Sequence, residues 1–269
     1  MAVAHYENFP VGSILLPRRL RNGVHAIYRF ARYADDVADE GETDDMWRLD
    51  ELWRLDAELD RIRAGQVPET ELMRELALVI ERHGLPLAPF YDLLSAFRQD
   101  VVKTRYHDFS ELMDYCRRSA NPVGRLMLSL YGVDDKRMLA MSDGICSALQ
   151  LINFLQDIAI DWQKGRVYLP ADELAHFRVT EEQIAALDAG GLWTPLMLKQ
   201  IERARRMLQG GAPLGKQLKG RIGMELRLII LGGDRILQKL HRSGGNVFKE
   251  RPRLNWRDWS VMFWRALFA

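Results

Sequence analysis

The spacing of apolar residues constrains the fold of this chain more than any other feature. Apolar side chains recur three and four residues apart along almost the whole length, which is the period of amphipathic helices. No run alternates apolar and polar residues as a strand does, and no internal repeat of a solenoid is present. Glycine and proline divide the pattern into roughly eight to ten helices, which predicts an all-α fold.

The composition predicts a single ordinary globular domain. The chain has 269 residues, of which 48% are apolar, and this is enough for a large buried core. No low-complexity linker divides it, so we expect one domain over residues 1–269, built as a helical bundle around a central apolar cavity. With 38 basic and 37 acidic residues the formal net charge is only +1, so we expect no nucleic-acid partner.

The cysteines and the termini predict a cytoplasmic protein. Cys116 and Cys146 are the only cysteines and form no CxxC motif, which favours a reducing compartment. The N-terminal apolar patch is too short and too interrupted for a signal sequence. No segment holds ~18 uninterrupted apolar residues, so we expect no transmembrane span.

Two acidic clusters lie inside segments that otherwise read as half-buried helices. They are YADDVADE at 33–40 and NFLQDIAID at 153–161. In each cluster two aspartates lie four residues apart, so they project from one face of a helix and repel each other. The pairs are Asp35 with Asp39 and Asp157 with Asp161. Either solvent or a cation must offset this repulsion.

The helices that carry the clusters are predicted at about 19 to 40 and about 135 to 164. A helix of roughly 30 residues is long for a globular protein, so Gly144 or the stretch 150–153 is a candidate bend. In the second helix Asn153 continues the polar stripe of the two aspartates, while Phe154 and Ile158 are apolar neighbours. A polar stripe among apolar side chains needs partners.

The simplest alternative is that the acids are solvated surface residues. That reading is strong for the first cluster, because Asp44 and Asp45 continue the acidic run. It is weak for the second, where Phe154, Ile158 and Ile160 surround the acids, so we favour a functional site there.

Both clusters together predict a metal and diphosphate site. Two helices facing each other would present four carboxylates to Mg²⁺, which binds few protein oxygens and shares substrate phosphates. About two or three ions would then neutralise the acids and a departing diphosphate, so that a carbocation can form. Arg32, Lys164 and Arg166 lie near the clusters and are candidates to bind phosphate oxygens, although they are equally suited to plain ion pairs.

Two other patterns do not predict sites. Gly210, Gly215 and Lys216 match GxxxxGK, but Gln217 replaces the Ser or Thr that binds magnesium and a helix precedes the motif, so we predict a loop between helices. The six histidines have no metal-binding spacing.

The C-terminal segment 255–268 predicts an amphipathic helix with many aromatic residues. Trp256, Trp259, Phe263 and Leu267 form its stripe, Trp264 and Phe268 broaden it, and Arg253, Arg257 and Arg265 lie nearby. Such a helix either packs in the core or rests in the headgroup layer of a bilayer, and the sequence supports both equally. Peripheral membrane contact is therefore an expectation.

Over nearly its whole length the chain resembles the squalene and phytoene synthases, which join prenyl chains head to head. The resemblance rests on AIYRFARYADDVADE (26–40), YCRRSANPVGRLML (115–128) and QLINFLQDIAIDWQKGRVYLP (150–170). The two ends, HYENFPVGSILLPRRLR and RPRLNWRDWSVMFWRAL, are most similar to the squalene or hydroxysqualene synthases of the hopanoid pathway. The resemblance implies a class I isoprenoid synthase fold, a prenyl diphosphate substrate and partner enzymes in that pathway.

The resemblance also implies roles for individual residues. Asp35 and Asp39 match the first aspartate-rich motif and Asp157 and Asp161 the second, which bind Mg²⁺ and diphosphate, and Asp36 assists. Arg32 and Arg166 match positions that contact diphosphate. Positions that line the family's cavity are matched by Tyr28, Tyr115, Gln150, Asn153 and Tyr168. Aromatic faces there would stabilise cations, Tyr115 among the catalytic groups, although each tyrosine is equally well explained as a core ring.

Three departures from the family pattern bear on the reaction. Gln156 and Ile160 stand where relatives carry arginine and glutamate, and Asn8 stands where many carry serine. Losing a cation and an acid beside the diphosphate disfavours two-step condensation of two farnesyl diphosphates. We therefore expect the enzyme to ionise presqualene diphosphate made by another enzyme, with water capturing the cation to give hydroxysqualene, and to need no NADPH.

Other functions remain open on the sequence alone. The first alternative is an NADPH-dependent squalene synthase or a phytoene-synthase-like prenyltransferase, for which the absence of GxGxxG decides little. A head-to-tail prenyltransferase or terpene cyclase would share the metal chemistry, but the 150–170 motif favours the head-to-head family. A non-catalytic helical adaptor would need solvent-facing acids, and the apolar neighbours of Asp157 and Asp161 disfavour it.

Overall fold

The computed structural model describes residues 16–41 and 43–268, and these form thirteen helices. In this part of the chain the only β-type pairing is an isolated bridge between Arg105 and Val167. The helices are α1 (Arg18–Asp39), α2 (Asp45–Arg63), α3 (Glu71–His83), α4 (Ala88–Val102), α5 (Phe109–Ser119), α6 (Asn121–Leu130), α7 (Lys136–Gln163), α8 (Ala171–His176), α9 (Glu181–Ala185), α10 (Trp193–Gly211), α11 (Leu214–Gln217), α12 (Gly220–Arg242) and α13 (Trp256–Phe268). The all-α prediction is confirmed.

The predicted number of helices was too low. Helices α8, α9 and α11 span only 6, 5 and 4 residues, which is too short for an apolar period to show in the sequence. The GxxxxGK motif spans the end of α10 and α11, so it lies among helices as predicted.

The long helix α7 is the centre of the bundle. The Asp135 side chain accepts a hydrogen bond from the backbone N–H of Met138 and caps its start, and Gly165 follows its end with a φ of 74°. The predicted bend at Gly144 or at 150–153 does not break it: the helix is continuous through both. The close approach of α10 to α7 depends on Gly211, where an added Cβ would lie 2.5 Å from the Met141 carbonyl oxygen.

Two groups of buried side chains hold the site helices in place. The first group packs the four helices α1, α2, α3 and α4 against α6. In it, the rings of Phe30 and Phe90 meet edge to face with centroids 5.3 Å apart. The other surrounds α7, α10 and α12, where the fully buried Trp193 donates its indole N–H to the carbonyl of Gly245. The first group fixes α1 and the second fixes α7, so both acidic helices have rigid supports.

Among the described helices, only α7 is long and apolar enough to cross a bilayer by length and composition. The criterion of ~18 uninterrupted apolar residues, applied to the sequence, did not select α7. Half of its apolar window is buried inside the bundle, and its C-terminal part carries Asp157 and Asp161, so its apolarity is explained by its central position.

Candidate active site

The two acidic clusters face a common polar cavity between α1 and α7. Its volume is about 180 Å³. The residues that line it are Asp35, Asp39, Asp100, Tyr115, Gln150, Asn153, Phe154, Asp157, Asp161, Lys164, Arg166 and Tyr168. Ten of these twelve were singled out from the sequence as site residues; Asp100 was not, and Phe154 was noted only as an apolar neighbour.

The two aspartates of the first pair, Asp35 and Asp39, have different partners and different pKa values. Arg166 donates two hydrogen bonds to Asp39, at 2.6 and 2.9 Å, and the Lys164 ammonium lies 3.5 Å from the same carboxylate. Burial alone would raise the pKa of Asp39, but the bonds and charge of Arg166 outweigh it and the pKa lies below its usual value. For Asp35, burial and then the charge of Asp39 raise the pKa to about 6. Because 46% of the Asp35 side chain is accessible, water in the cavity moderates that rise.

The second pair shows the same asymmetry. Asp157 accepts two hydrogen bonds from Arg251, which lies after α12. For Asp161, burial, followed by the charge of Asp157, raises the pKa to about 7, against the lowering charges of Lys164 and Arg166. Each motif therefore holds one carboxylate neutralised by arginine and one whose negative charge is poorly compensated.

The uncompensated charge fits divalent cations. Carboxylate oxygens are the ligands Mg²⁺ prefers, and the ion needs only one or two of them because it shares substrate phosphates and water. Among the described residues no three histidine, cysteine or acidic side chains converge on one point. The residues therefore suit ions that share a bound diphosphate better than an ion held in a cage made only of protein.

Asp100 is the site residue that the sequence did not reveal. It lies near the end of α4, is only 9% exposed, and accepts the Tyr115 hydroxyl at 2.8 Å. Its backbone oxygen accepts a hydrogen bond from Arg166 at 3.1 Å. Burial raises the pKa of its carboxyl to about 7, against the lowering effects of Tyr115 and Arg166. The available signal was a lone acid in RQDVVKTRY, which is indistinguishable from a surface residue.

Aromatic rings form one side of the cavity. Phe154 and Tyr168 stack with centroids 3.8 Å apart and planes 7° from parallel, and Tyr115 lies 6.2 Å from each. Tyr106 packs behind them, 5.6 Å from Tyr168. The faces of such rings are electron-rich, so this wall suits a carbocation.

Three predicted site residues lie outside this cavity. Tyr28, Arg32 and Asp36 line a separate cavity on the α2 side of α1. The Arg32 guanidinium lies 2.7 Å from Asp36 and 3.3 Å from Asp35. The predicted diphosphate contacts of Tyr28 and Arg32 and the predicted metal contact of Asp36 stay predictions. Tyr28 and Arg32 share the helix face of Asp35 and Asp39, and Arg32 contacts Asp35 directly.

The two departures in the second motif do not alter the lining of the cavity. Gln156 is buried and donates its amide N–H to the Pro252 carbonyl at 2.7 Å, and Ile160 is exposed. Arg251, next to Pro252, brings a guanidinium to the second motif instead. Whether the exchange at position 156 disfavours the two-step condensation stays a prediction. Asn8 and most of the N-terminal motif lie outside the described residues.

An apolar cavity lies further along the same helix, α7. Its volume is about 80 Å³, and α7 lines it with Ser142, Ile145, Cys146 and Leu149, which precede Gln150 of the polar cavity. Other walls come from α6 and α12, and Glu225 is its one carboxylate among the lining residues. The polar lining suits a charged head, and the apolar lining suits hydrocarbon.

Comparison with known proteins agrees with this geometry. Residues 2–260 match the sequence profile of the squalene/phytoene synthases. A hydroxysqualene synthase from Rhodopseudomonas palustris is 38% identical over 240 residues, covering 87% of this chain and 79% of the relative. Another from Sinorhizobium fredii is 35% identical, covering 89% and 81%.

Solved structures give the same result. The crystal structure of squalene synthase HpnC from Alicyclobacillus acidocaldarius is 38% identical and covers 90% of each chain, with a TM-score of 0.82. A dehydrosqualene synthase in complex with ligand is similar in fold, with a TM-score of 0.83 at 22% identity, covering 94% of this chain and 88% of that one.

Proposed function

The chain belongs to the squalene/phytoene synthase family, and we propose that it ionises presqualene diphosphate, releases diphosphate and lets water capture the rearranged cation to give hydroxysqualene. The observation that carries this proposal is that one helix, α7, lines both the polar cavity with its four aspartates and an apolar cavity. These linings suit a diphosphate head and a hydrocarbon body, since burying each CH₂ contributes roughly 0.8 kcal/mol. Two relatives named hydroxysqualene synthases support it.

About two or three Mg²⁺ ions would be held by Asp35, Asp39, Asp157 and Asp161 together with the diphosphate. When bound, the metal supplies positive charge that stabilises the departing diphosphate. The chain's own cations, Lys164 and Arg166, lie in the same cavity and bind the diphosphate oxygens. Asp36 is not included, because it lies outside that cavity.

The remaining residues guide the cation. The rings of Phe154, Tyr168 and Tyr115 stabilise positive charge, and Gln150 and Asn153 supply polar contacts on the same helix face. The apolar cavity orders the hydrocarbon and excludes bulk water from it. Water capture needs no reductant, so the proposed reaction uses no NADPH.

A second candidate is a squalene synthase that condenses two farnesyl diphosphates and reduces the product with NADPH. The solved relative at 38% identity is named a squalene synthase, which supports this second candidate. Under the first proposal a separate enzyme that joins two C15 diphosphates must supply the substrate.

We also propose that the enzyme is cytoplasmic and docks on the membrane through α13. Trp256, Trp259, Phe263 and Trp264 are 50 to 72% exposed, and Arg257 and Arg265 are exposed on the same helix. Exposed aromatic rings beside arginine suit a bilayer with anionic headgroups, from which a C30 substrate would partition. Leu267 and Phe268, predicted to extend the stripe, lie outside the described side chains.

Product analysis tests the reaction. Purified protein is incubated with Mg²⁺ and either farnesyl or presqualene diphosphate, with and without NADPH. We expect hydroxysqualene from presqualene diphosphate without NADPH. Squalene formed only with NADPH would favour the second candidate, and no product from either substrate would refute both.

A further inference from the structure

The Tyr115 hydroxyl is held in one orientation. It donates its only proton to Asp100 Oδ2 at 2.8 Å, and Tyr115 and Asp100 are only 5% and 9% exposed. Both residues line the polar cavity. Since a phenol has a single O–H, the oxygen of Tyr115 is left as a hydrogen-bond acceptor for anything else that approaches it.

Asp100 retains capacity to receive a proton. Arg166 donates to its backbone oxygen and not to its carboxylate, and the buried Oδ1 atom has no hydrogen-bond partner in the described part of the chain. A carboxylate this deep is ordinarily satisfied by several donors. Its environment disfavours the charged form, which makes it a better proton acceptor than a solvated aspartate.

The pair lies beside the rings expected to stabilise the cation. The Tyr115 ring centroid is 6.2 Å from those of both Phe154 and Tyr168. A water hydrogen-bonded to the Tyr115 oxygen would therefore lie close to the aromatic wall, in the cavity that the four aspartates also line.

We propose that Tyr115 and Asp100 form a proton relay for the water that captures the cation, an inference that rests on the proposed function. The water oxygen donates a lone pair to the cationic carbon and forms the C–O bond. One water proton passes to the Tyr115 oxygen as the Tyr115 proton passes to Asp100 Oδ2. The products are the neutral alcohol and a protonated Asp100, so charge and atoms balance. Tyr115 is the catalytic residue and Asp100 receives the proton through it.

The relay is tested by the ratio of alcohol formed to diphosphate released from presqualene diphosphate. In Tyr115→Phe and Asp100→Asn we expect this ratio to fall by about 10-fold or more, because general base catalysis is typically worth 10²–10⁴-fold. Alkenes from proton loss should take the place of the alcohol. Reactions in ¹⁸O-labelled water identify the alcohol that arises by water capture.

A matched control is Tyr106→Phe. Tyr106 is equally buried in the ring cluster, does not line the polar cavity, and its hydroxyl accepts a bond from Gln99 at 3.2 Å. The ratio of alcohol to diphosphate for Tyr106→Phe should equal that of the wild type. Tyr115→Phe keeps the aromatic ring and removes only the hydroxyl, so this variant alone tests the relay if Asp100→Asn does not fold.

The outcomes separate the relay from the proposed function. If wild-type protein releases no diphosphate from presqualene diphosphate, the proposed function fails. If the wild type makes the alcohol and both variants keep its ratio, only the relay is refuted. If alcohol and diphosphate release fall in the same proportion, the pair is structural and the relay is again refuted.

Discussion

Arg251 donates two hydrogen bonds to the carboxylate of Asp157, a residue 94 positions earlier in the chain. The pair is largely buried, with side-chain exposures of 18% for Arg251 and 23% for Asp157. The second aspartate motif is therefore tied, in the metal-free protein, to the segment that leads into α13. Asp35 has no comparable clamp, and its nearest cation, Arg32, also contacts Asp36 and Glu40.

This asymmetry predicts opposite effects on stability for two substitutions that both abolish activity. Asp35→Asn removes one of two repelling charges, so the melting temperature should stay the same or rise. Asp157→Asn breaks the Arg251 pair and should cost about 1 kcal/mol, or about 2–4 °C. Both should lower turnover by about 100-fold or more, because a metal ligand contributes several kcal/mol. Differential scanning calorimetry and product assays measure the two quantities.

Asp143→Asn is the control for these substitutions. Asp143 forms a two-bond pair with Arg125 outside the polar cavity, so its loss should lower stability without lowering turnover. Near-normal turnover of either cavity variant at saturating Mg²⁺ would show that the altered aspartate is not an essential ligand.

The raised pKa of Asp161 predicts how the metal-free protein responds to pH. Its folded pKa of about 7 lies above the usual 3.8, so ionisation favours the unfolded state and stability is lost as pH rises from about 4 through 7. Asp161→Asn removes this effect. The difference in unfolding free energy between variant and wild type should therefore grow from pH 5 to pH 8, as urea titrations with a chelator measure.

Magnesium should reverse this difference. At pH 8 Mg²⁺ should stabilise the wild type more than Asp161→Asn, because binding to the folded state shifts the equilibrium toward it. Parallel stability curves for the two proteins across this pH range would contradict the assignment of an uncompensated charge to Asp161.

Arg166 should be intolerant of lysine. Its two bonds to Asp39 and one to the Asp100 carbonyl use the planar guanidinium, which an ammonium cannot reproduce. We expect Arg166→Lys to reduce kcat/KM by about 10- to 100-fold, since hydrogen bonds to charged groups are worth about 1.5–3 kcal/mol. Arg125→Lys alters a similar two-bond pair away from the cavity and should leave kcat/KM unchanged. Equal effects of both substitutions would mean that the loss is one of stability alone.

The acidic helices were predictable from sequence because their spacing is local. α1 and α7 begin and end within one residue of the expected positions, and the aspartates share a face as the helical period requires. Asp100 and Arg251 were not predictable, because their contacts join α4 to α5 and the segment after α12 to α7.

The C-terminal helix also combines features that sequence could not separate. Met262 and Ala266 are buried, and the buried Asp258 pairs with Arg235 and Lys239, so one face packs on α12. The opposite face exposes its aromatic side chains. The core-packing reading is therefore confirmed for one face, and membrane contact by the other face stays a prediction. Deleting the helix would remove core contacts along with the exposed surface.

Substitutions on the exposed face therefore test membrane docking better than deletion. Trp256→Ser combined with Trp259→Ser should weaken binding to vesicles containing an anionic phospholipid by about 10-fold or more, since burying an aromatic side chain contributes about 1.5–3 kcal/mol. Turnover on detergent-dispersed substrate should persist. Sedimentation with vesicles at low and high salt measures the binding and its electrostatic part.

The matched control replaces Trp47 and Trp53 of α2, which are 47% and 57% exposed. This double variant should bind vesicles as the wild type does. If both double variants lose vesicle binding equally, exposed tryptophans contribute to binding wherever they lie on the protein. The assignment of docking to α13 would then be wrong.

Because α7 lines both cavities, it sets a common scale for the head and the body of the substrate. The distance along its axis from Ser142 to Asp161 is about 28 Å at ~1.5 Å per residue, so each side chain occupies a fixed depth relative to the charged groups. Inserting a single residue after Leu149 would rotate the aspartates by about 100° relative to the apolar wall. The length of α7 is therefore more constrained than the identity of its side chains. Substrates of different chain length would be accommodated by substitutions between residues 149 and 142, of which 142 lies farthest from the aspartates.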